Sequence, residues 1–302
     1  MMKRMRSLCL AALLFLAAGC EKPGPVSLFD PSVDKGDLHV LVNPNVSAGA
    51  FGTEDIDSAH LFPPVQGRVL GQLIVSGSVF DSKTGHHEGS LTRAIFFDRS
   101  SPVIINGDTL AYKTLNAGVV SIDAIPLFPR EKRLQIPQLS LDTLLGIQYS
   151  LVSVDGIGGR GFQYLGGHAY RWTGTGLGSI APFTIDVQSP PLIHVDSPTP
   201  DQTVSLSHNL TVKWTGGGSY VDILISDVQA GVRARPLVRL RLAANRGETV
   251  IPSAVLQILR GRPSALFSFT SGSRSTVQVA GYPDDVAATT ASTHNLLLTL
   301  GP

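Results

Sequence analysis

Short runs of β-branched and aromatic residues recur along this chain, and each run is bounded by glycine, serine or aspartate. Such runs predict strands, because branched and aromatic side chains pack well on a pleated sheet. The 31 glycines and 20 prolines among 302 residues leave little room for long helices. We therefore expect an all-β fold. The clearest predicted strands are GQLIVSGSVFD at 71–81, TRAIFFD at 92–98, IQYSLVSVDG at 147–156 and FTIDVQ at 183–188.

Turn signals divide these runs and suggest a domain boundary. Asn106-Gly107 lies between two apolar arms, and this dipeptide favours a two-residue hairpin turn because both positions take positive φ. A proline-rich stretch, SPPLIHVDSPTPDQ at 189–202, predicts a linker and a turn. We place the boundary near Pro190, which gives an N-terminal β-rich domain at 38–189 and a C-terminal domain at 190–302.

The C-terminal domain begins with a strongly alternating strand. In NLTVKWTGGG, Leu210, Val212 and Trp214 share one face, which directs the indole toward a core. YVDILIS at 220–226 and LVRLRL at 237–242 alternate in the same way. The Leu-x-Val-x-Trp strand resembles that of fibronectin type III-like modules. The resemblance implies an immunoglobulin/fibronectin type III-like β-sandwich at 190–302, and it implies no activity.

Two segments of the chain are similar to each other. The eighteen residues from Ile136 and the eighteen from Ile251 align without a gap, and seven positions are identical. Both predict an Ile-Pro start, a short helical turn ended by glycine, and then a strand. The two domains are then two β-sandwiches of one topology, or the match is a coincidence between two similar corners. The sequence leaves both interpretations open.

The N-terminus has the three parts of an export signal. Lys3, Arg4 and Arg6 are followed by an apolar stretch at 8–18 and by small residues that suit a cleavage site, so residues 1–19 are predicted to be a signal peptide. The apolar stretch is too short for a bilayer core of ~30 Å. Its end, Leu-Ala-Ala-Gly-Cys at 16–20, resembles the lipobox of bacterial lipoproteins.

This resemblance implies cleavage before Cys20 and attachment of lipid to its thiol, which would anchor the protein to a membrane. The alternative is an ordinary secretory signal with an incidental cysteine. Glu21 follows the cysteine where aspartate would resemble an inner-membrane retention signal, which favours the outer membrane. Residues 20–37 are polar and contain three prolines, so we expect a lipidated flexible tether.

Composition excludes several classes of function. Cleavage removes three basic residues and leaves a mature net charge of 21 − 23 = −2, which argues against a nucleic-acid partner. Cys9 leaves with the signal, so Cys20 is the single mature cysteine and no internal disulfide is possible. GIGGRG at 156–161 matches a dinucleotide-binding pattern, but the alternating, glycine-rich residues after it do not predict the helix that such a site requires. No cofactor is predicted.

Metal and sugar sites are weakly indicated. His86 and His87 are adjacent, and neighbours on a strand point to opposite faces, so a solvated loop is favoured over a metal site. Glu54, Asp55 and Asp57 lack the order of a calcium loop. No metal is therefore predicted. Three aromatic residues could stack on sugars, although core packing is the commoner role: Tyr164, Tyr170 and Trp172.

No nucleophile motif of the Gly-x-Ser-x-Gly type is present. The favoured function is a non-catalytic binding or structural component of the cell envelope. The alternative is a carbohydrate-active hydrolase on a β-sandwich, which would need two carboxylates roughly 5–9.5 Å apart.

Arginine is concentrated near the end of the chain. Residues 231–262 hold seven arginines against the single acid Glu248. Arginine suits carboxylate and phosphate groups, so this region predicts a patch for an anionic polysaccharide or an acidic envelope protein. The alternative is that charge keeps an edge strand soluble. The predicted patch consists of Arg233, Arg235, Arg239 and Arg241.

Overall fold

The computed structural model describes residues 38–42, 69–105, 107–136, 141–228, 234–242 and 247–302. For residues 38–42 it describes the backbone. Several predicted features lie outside the described residues. They are the signal peptide, the tether with Cys20, the acidic residues Glu54, Asp55 and Asp57, and Arg233.

The described residues form three β-sheets. The largest has twelve strands: β1 (Leu38–Val42), β2 (Val69–Ser82), β3 (Gly85–Ile105), β4 (Asp108–Thr114), β7 (Phe128–Ile136), β8 (Leu141–Val154), β9 (Ile157–Gly158), β13 (Thr203–Ser205), β15 (Val221–Asp227), β16 (Arg235–Leu242), β18 (Ser264–Val277) and β19 (Asp285–Gly301). A four-stranded sheet contains β5 (Val120–Ile122), β6 (Ile125–Pro126), β10 (Ala169–Gly174) and β11 (Phe183–Gln188). A three-stranded sheet contains β12 (His194–Ser197), β14 (Leu210–Thr215) and β17 (Glu248–Ile251).

Helical structure is limited in the described part of the chain. One short α-helix, α1 (Ser253–Leu256), continues into a 3₁₀ turn at Gln257–Leu259. A second 3₁₀ turn follows β9 at Gly159–Gly161. The predicted all-β sandwich fold is therefore confirmed.

The large sheet runs through both halves of the chain. Its main path is β1-β16-β15-β18-β19-β2-β3-β8-β7. Neighbours on this path are antiparallel except β19 and β2, which pair in parallel. β19 lies near the C-terminus and β2 lies in the N-terminal half, so this pairing joins the two predicted domains into one sheet. The boundary near Pro190 stays a prediction.

Two hydrophobic cores form where the smaller sheets pack on the large one. The Trp214 core contains Ile223 and Phe269 of the large sheet. The Trp172 core contains Leu73 and Phe96 of the large sheet. Both indoles are almost fully buried. Because β19 is 17 residues long, it contributes residues to both cores.

Several local predictions are confirmed. On β14, Leu210, Val212 and Trp214 are buried while the residues between them are exposed. Ile105 pairs with Asp108, which closes the predicted hairpin, and Gly107 takes a φ of 91°. The resemblance of residues 190–302 to fibronectin type III modules stays a prediction.

Two local predictions are wrong. β15 is buried on both faces instead of alternating between core and solvent. The segment after Ile251 does form a helical turn, whereas in the similar segment the described residues from Leu141 onward lie in strand β8 and not in a helical turn. Gly146, the predicted end of that turn, lies inside β8 with a φ of 132°, and a Cβ there would lie 2.9 Å from the carbonyl oxygen of Thr114. This glycine lets β8 pass close to its neighbour instead of ending a helix.

The buried indole makes a stability prediction. Trp214→Ala removes a large side chain from a packed core and should lower the free energy of unfolding by ~3–5 kcal/mol. Val250 on the adjacent strand β17 is 47% exposed, so Val250→Ala should change it by no more than about 0.5 kcal/mol. Denaturant unfolding of the mature chain measures both values. Equal effects of the two substitutions would contradict the assignment of Trp214 to the core.

Candidate functional site

A row of polar side chains separates the two cores on strand β19. Alternate residues of a strand share a face. On this strand Ala288 belongs to the Trp172 core and Leu296 to the Trp214 core, and the three residues between them on that face are polar. They are Thr290, Ser292 and His294, and each is almost fully buried. We call these three residues, together with the backbone of residues 188–195 above them, the seam.

The three side chains bind the backbone of the chain segment that crosses between the smaller sheets. Thr290 Oγ1 donates to the carbonyl oxygen of Gln188 at 3.0 Å. The amide of Ile193 donates to Ser292 Oγ at 2.9 Å, and the amide of Val195 donates to His294 Nδ1 at 3.0 Å. These bonds matter because a buried peptide group without a partner is costly. The polar row therefore supplies hydrogen bonds that a strand partner would otherwise provide.

Glycines make the close approach of this segment possible. A Cβ atom at Gly166 or at Gly216 would overlap the backbone of Leu192. Nearby amides also hold the segment, since Gly167 donates to the Pro190 carbonyl at 3.1 Å and Gly217 donates to the Pro191 carbonyl at 3.2 Å. The glycine-rich sequence around the seam thus serves backbone packing.

His294 connects the seam to a carboxylate and then to the surface. Its Nδ1 accepts the Val195 amide proton, so the ring proton of the neutral side chain is on Nε2, which donates to Asp81 Oδ2 at 2.9 Å. The other oxygen, Asp81 Oδ1, accepts from His86 Nδ1 at 2.6 Å. His86 Nε2 lies 3.4 Å from Glu88 Oε1. His294 is fully buried and His86 is 59% exposed, so this chain of hydrogen bonds leads from the interior to solvent.

The environment shifts the pKa values of these groups in different directions. Burial lowers the pKa of His294 below the usual 6.5, and this outweighs the opposite effect of Asp81. The hydrogen bond to Asp81 raises the pKa of His86. Burial alone would raise the pKa of Asp81, but the hydrogen bonds from His86 and His294 lower it overall. The two histidines that bind Asp81 therefore differ: the environment of His294 favours its neutral form, and that of His86 favours its protonated form.

A small pocket of about 100 Å³ lies beside the seam. Its walls include the polar Ser78 and Gln163 and the apolar Tyr164 and Leu192. Glu88 lines the pocket and also contacts His86, so the pocket and the histidine chain share this residue. Among the described residues that line this pocket, Glu88 is the single carboxylate. The pocket can hold a few waters or a small polar group, since one water occupies about 30 Å³ of liquid.

The adjacent His86 and His87 are exposed, but they lie on strand β3 and not in the predicted loop, and as strand neighbours they point to opposite faces. His86 meets Asp81, while His87 Nδ1 lies 2.9 Å from Asp155 Oδ2 in the turn after β8. Asp155 also accepts from the amide of Glu88 at 2.8 Å, which holds the turn against β3. Within the described residues, no group of three or more His, Cys, Asp or Glu is placed to hold a metal ion.

Tyr164, Tyr170 and Trp172 are buried in the Trp172 core, which confirms core packing as their role. The glycine-rich segment 156–161 forms β9 and a 3₁₀ turn, and Phe162 after it is extended. The glycine-rich segment therefore contains a short strand and a turn where a loop was expected, and the described residues 162–168 after it are not helical.

The predicted arginine patch has a buried partner. Arg239 and Arg241 share one face of β16, as predicted, but both donate to Asp222 on β15. The Asp222 side chain is fully buried, and the two arginine side chains are 13% and 29% exposed. The expectation of a solvated edge strand is wrong, because β1 pairs with the outer side of β16. Arg235 lies at the start of β16 and is exposed.

The sequence alone does not identify Asp222 as the partner of the arginines, because this residue lies inside an apolar run that predicts a half-exposed strand. The antiparallel register places Asp222 directly opposite Arg241, and that register is not visible in the sequence. Replacing both arginines by glutamate would bring three carboxylates together and should destabilise the fold. Binding of an anionic ligand at Arg235, Arg239 and Arg241 stays a prediction.

Removal of Asp222 should be strongly destabilising. Asp222→Ala leaves two partly buried guanidinium groups without this carboxylate, and breaking a buried ion pair costs ~3–5 kcal/mol. The matched control is Asp186→Ala, which removes the partner of Arg171 in an exposed pair and should change the free energy of unfolding much less, because solvent screens exposed ion pairs. Denaturant unfolding measures both changes. Similar losses for both variants would contradict a structural role of the Asp222 cluster.

Comparisons with known proteins add little. No family model and no curated protein sequence matches this chain. A solved structure of the yeast delta-COP-I mu-homology domain complexed with a Dsl1 WxWxV peptide is similar with a TM-score of 0.26 and 10% identity, over 79% of this chain and 100% of that chain. The yeast delta-COP-I mu-homology domain alone gives a TM-score of 0.25 and 8% identity, over 79% of this chain and 99% of that chain. Similarity this weak supports no argument about fold or function.

Proposed function

We propose that this protein is an exported lipoprotein, anchored to the outer membrane through lipid on Cys20, and that it is a non-catalytic binding or structural component of the cell envelope. The observation that carries the proposal is the N-terminal sequence, where a signal-like segment ends at Leu-Ala-Ala-Gly-Cys and a polar, proline-containing stretch follows. Several acyl chains on one cysteine give stable attachment, whereas one chain binds a membrane only marginally.

The use of charged groups in the described body supports a structural role. Asp222 binds two arginines, and Asp81 binds two histidines. Asp284, whose side chain is 4% exposed, binds Arg99 at 2.8 Å. The Asp222 and Asp81 carboxylates join neighbouring strands, and Asp284 joins the bend before β19 to β3, which is the use expected in a rigid scaffold. None of the helices in the described residues has the length and apolarity that a membrane span requires.

A binding partner for the described part of the chain is included in the same proposal. The exposed Arg235, on the strand that also carries Arg239 and Arg241, offers a guanidinium group to an anionic polysaccharide or to an acidic surface of an envelope protein. The hydrolase alternative has no specific observation in its favour, since Glu88 is the single carboxylate among the described residues of the pocket beside the seam.

Lipidation can be tested by labelling bacterial cells with a clickable fatty acid. The wild-type chain should take up label and remain with the membrane fraction, because the Cys20 thiolate is the nucleophile that accepts lipid. Cys20→Ser should give unlabelled, uncleaved precursor.

Cys9→Ser is the matched control, because Cys9 lies inside the predicted signal and should not affect labelling. A mature wild-type chain that is cleaved but carries no label would overturn the lipoprotein proposal and leave an ordinary secreted protein.

A further inference from the structure

We infer that His294 is an acid-sensitive latch: its neutral ring holds the Val195 end of segment 188–195 against the large sheet, and protonation of Nδ1 releases the Val195 amide. The inference does not depend on lipidation or on the proposed partner. It concerns the seam between the two cores and the pocket beside it.

The direction of the switch follows from the two sides of the ring. Nε2 already carries a proton and donates it to Asp81, so a second proton can bind only at Nδ1. That atom lies 3.0 Å from the Val195 amide nitrogen, which is itself a donor. Two donors cannot form a hydrogen bond with each other, so the bond to Val195 is lost when the ring becomes charged.

Charged neighbours of His294 come from three other elements. Asp81 on β2 favours the protonated ring, and His86 on β3 opposes it. Glu88 on β3 lies beyond His86. His194 on β12 has its ring centroid 5.1 Å from that of His294, and its Nε2 lies 3.8 Å from Asp196. Asp81 can stabilise the imidazolium at Nε2, whereas His194 and His86 both oppose the charge. The hydrogen bond that protonation removes is the one to Val195.

Release of Val195 affects the pocket because the same segment forms one of its walls. Leu192 lines the pocket, three residues before Val195. Ile193, next to Leu192, is held by Ser292, whose hydroxyl does not titrate in this range. Acid should therefore loosen the segment at Val195 first and leave the bond at Ile193 in place.

The pH window follows from the direction of each shift. The pKa of His294 is lowered in the folded protein, so its contribution to stability is complete above the ordinary value of 6.5 and is lost as pH falls through the lower folded value. His86 has a raised pKa and behaves in the opposite way, since its contribution is complete below 6.5 and is lost as pH rises through the raised value. The latch therefore opens below the ordinary histidine range.

Amide hydrogen exchange by NMR tests the latch on the mature chain, residues 20–302 with Cys20→Ser. Between about pH 7.5 and about pH 4, a range that extends well below the ordinary histidine pKa, the protection of Val195 should fall roughly tenfold or more relative to Ile193, after correction for intrinsic exchange. His294→Gln keeps a side-chain acceptor that does not titrate, so the ratio should then stay constant with pH. A wild-type ratio that does not change with pH would overturn the inference.

Two control variants separate the latch from its neighbours. Ser292→Ala should lower the protection of Ile193 equally at both pH values. His86→Gln should leave the acid-dependent loss at Val195, and disappearance of that loss would assign the effect to the surface histidine and overturn the inference. If His294→Gln does not fold, the protonation state of each ring nitrogen of wild-type His294, followed by NMR as pH falls, provides the test. Protonation of Nδ1 that precedes or accompanies loss of the Val195 bond supports the latch, and a lost bond with Nδ1 still unprotonated contradicts it.

Discussion

The parallel pairing of β19 with β2 is the contact on which the rest of the structure depends. It extends over twelve residue pairs, from Asp285 with Val69 to Leu296 with Asp81. This pairing joins strands from both ends of the chain into one sheet, and both smaller sheets pack on that sheet. Parallel strands need a long connection between them, so residues far apart in sequence must meet before either core is complete.

The seam follows from this architecture. Two smaller sheets cover the large sheet at different places, and residues 189–193 cross between β11 and β12 outside any strand. The amides of Ile193 and Val195 are buried on the side of β19, so they need hydrogen bonds from its side chains. Thr290, Ser292 and His294 supply these bonds at a spacing of two residues, which matches the repeat of a strand. An apolar row at these positions would leave the crossing segment unsatisfied.

The sequence predicted features that depend on neighbours along the chain and missed features that depend on strand pairing. The alternation around Trp214 and the hairpin at Gly107 are local patterns, and both are confirmed. Asp222 and His294 lie within strands whose burial is set by partners from distant parts of the chain, so neither could be identified from its own surroundings. The sequence around Gly146 predicts the end of a helical turn. In the folded sheet, the missing side chain of this glycine allows the backbone of β8 to lie close to Thr114.

Asp81, which binds both His86 and His294, explains why acid should act on residues 188–195 and not on the contact between β2 and β19. His86 and His294 bind different oxygens of Asp81, so protonation of His86 does not displace His294. The pKa of Asp81 is lowered by both histidines, which keeps it ionised while they take up protons. An ionised Asp81 continues to accept the Nε2 proton of His294. The ring therefore stays fixed on the side of β2, and only its bond to Val195 is sensitive to acid.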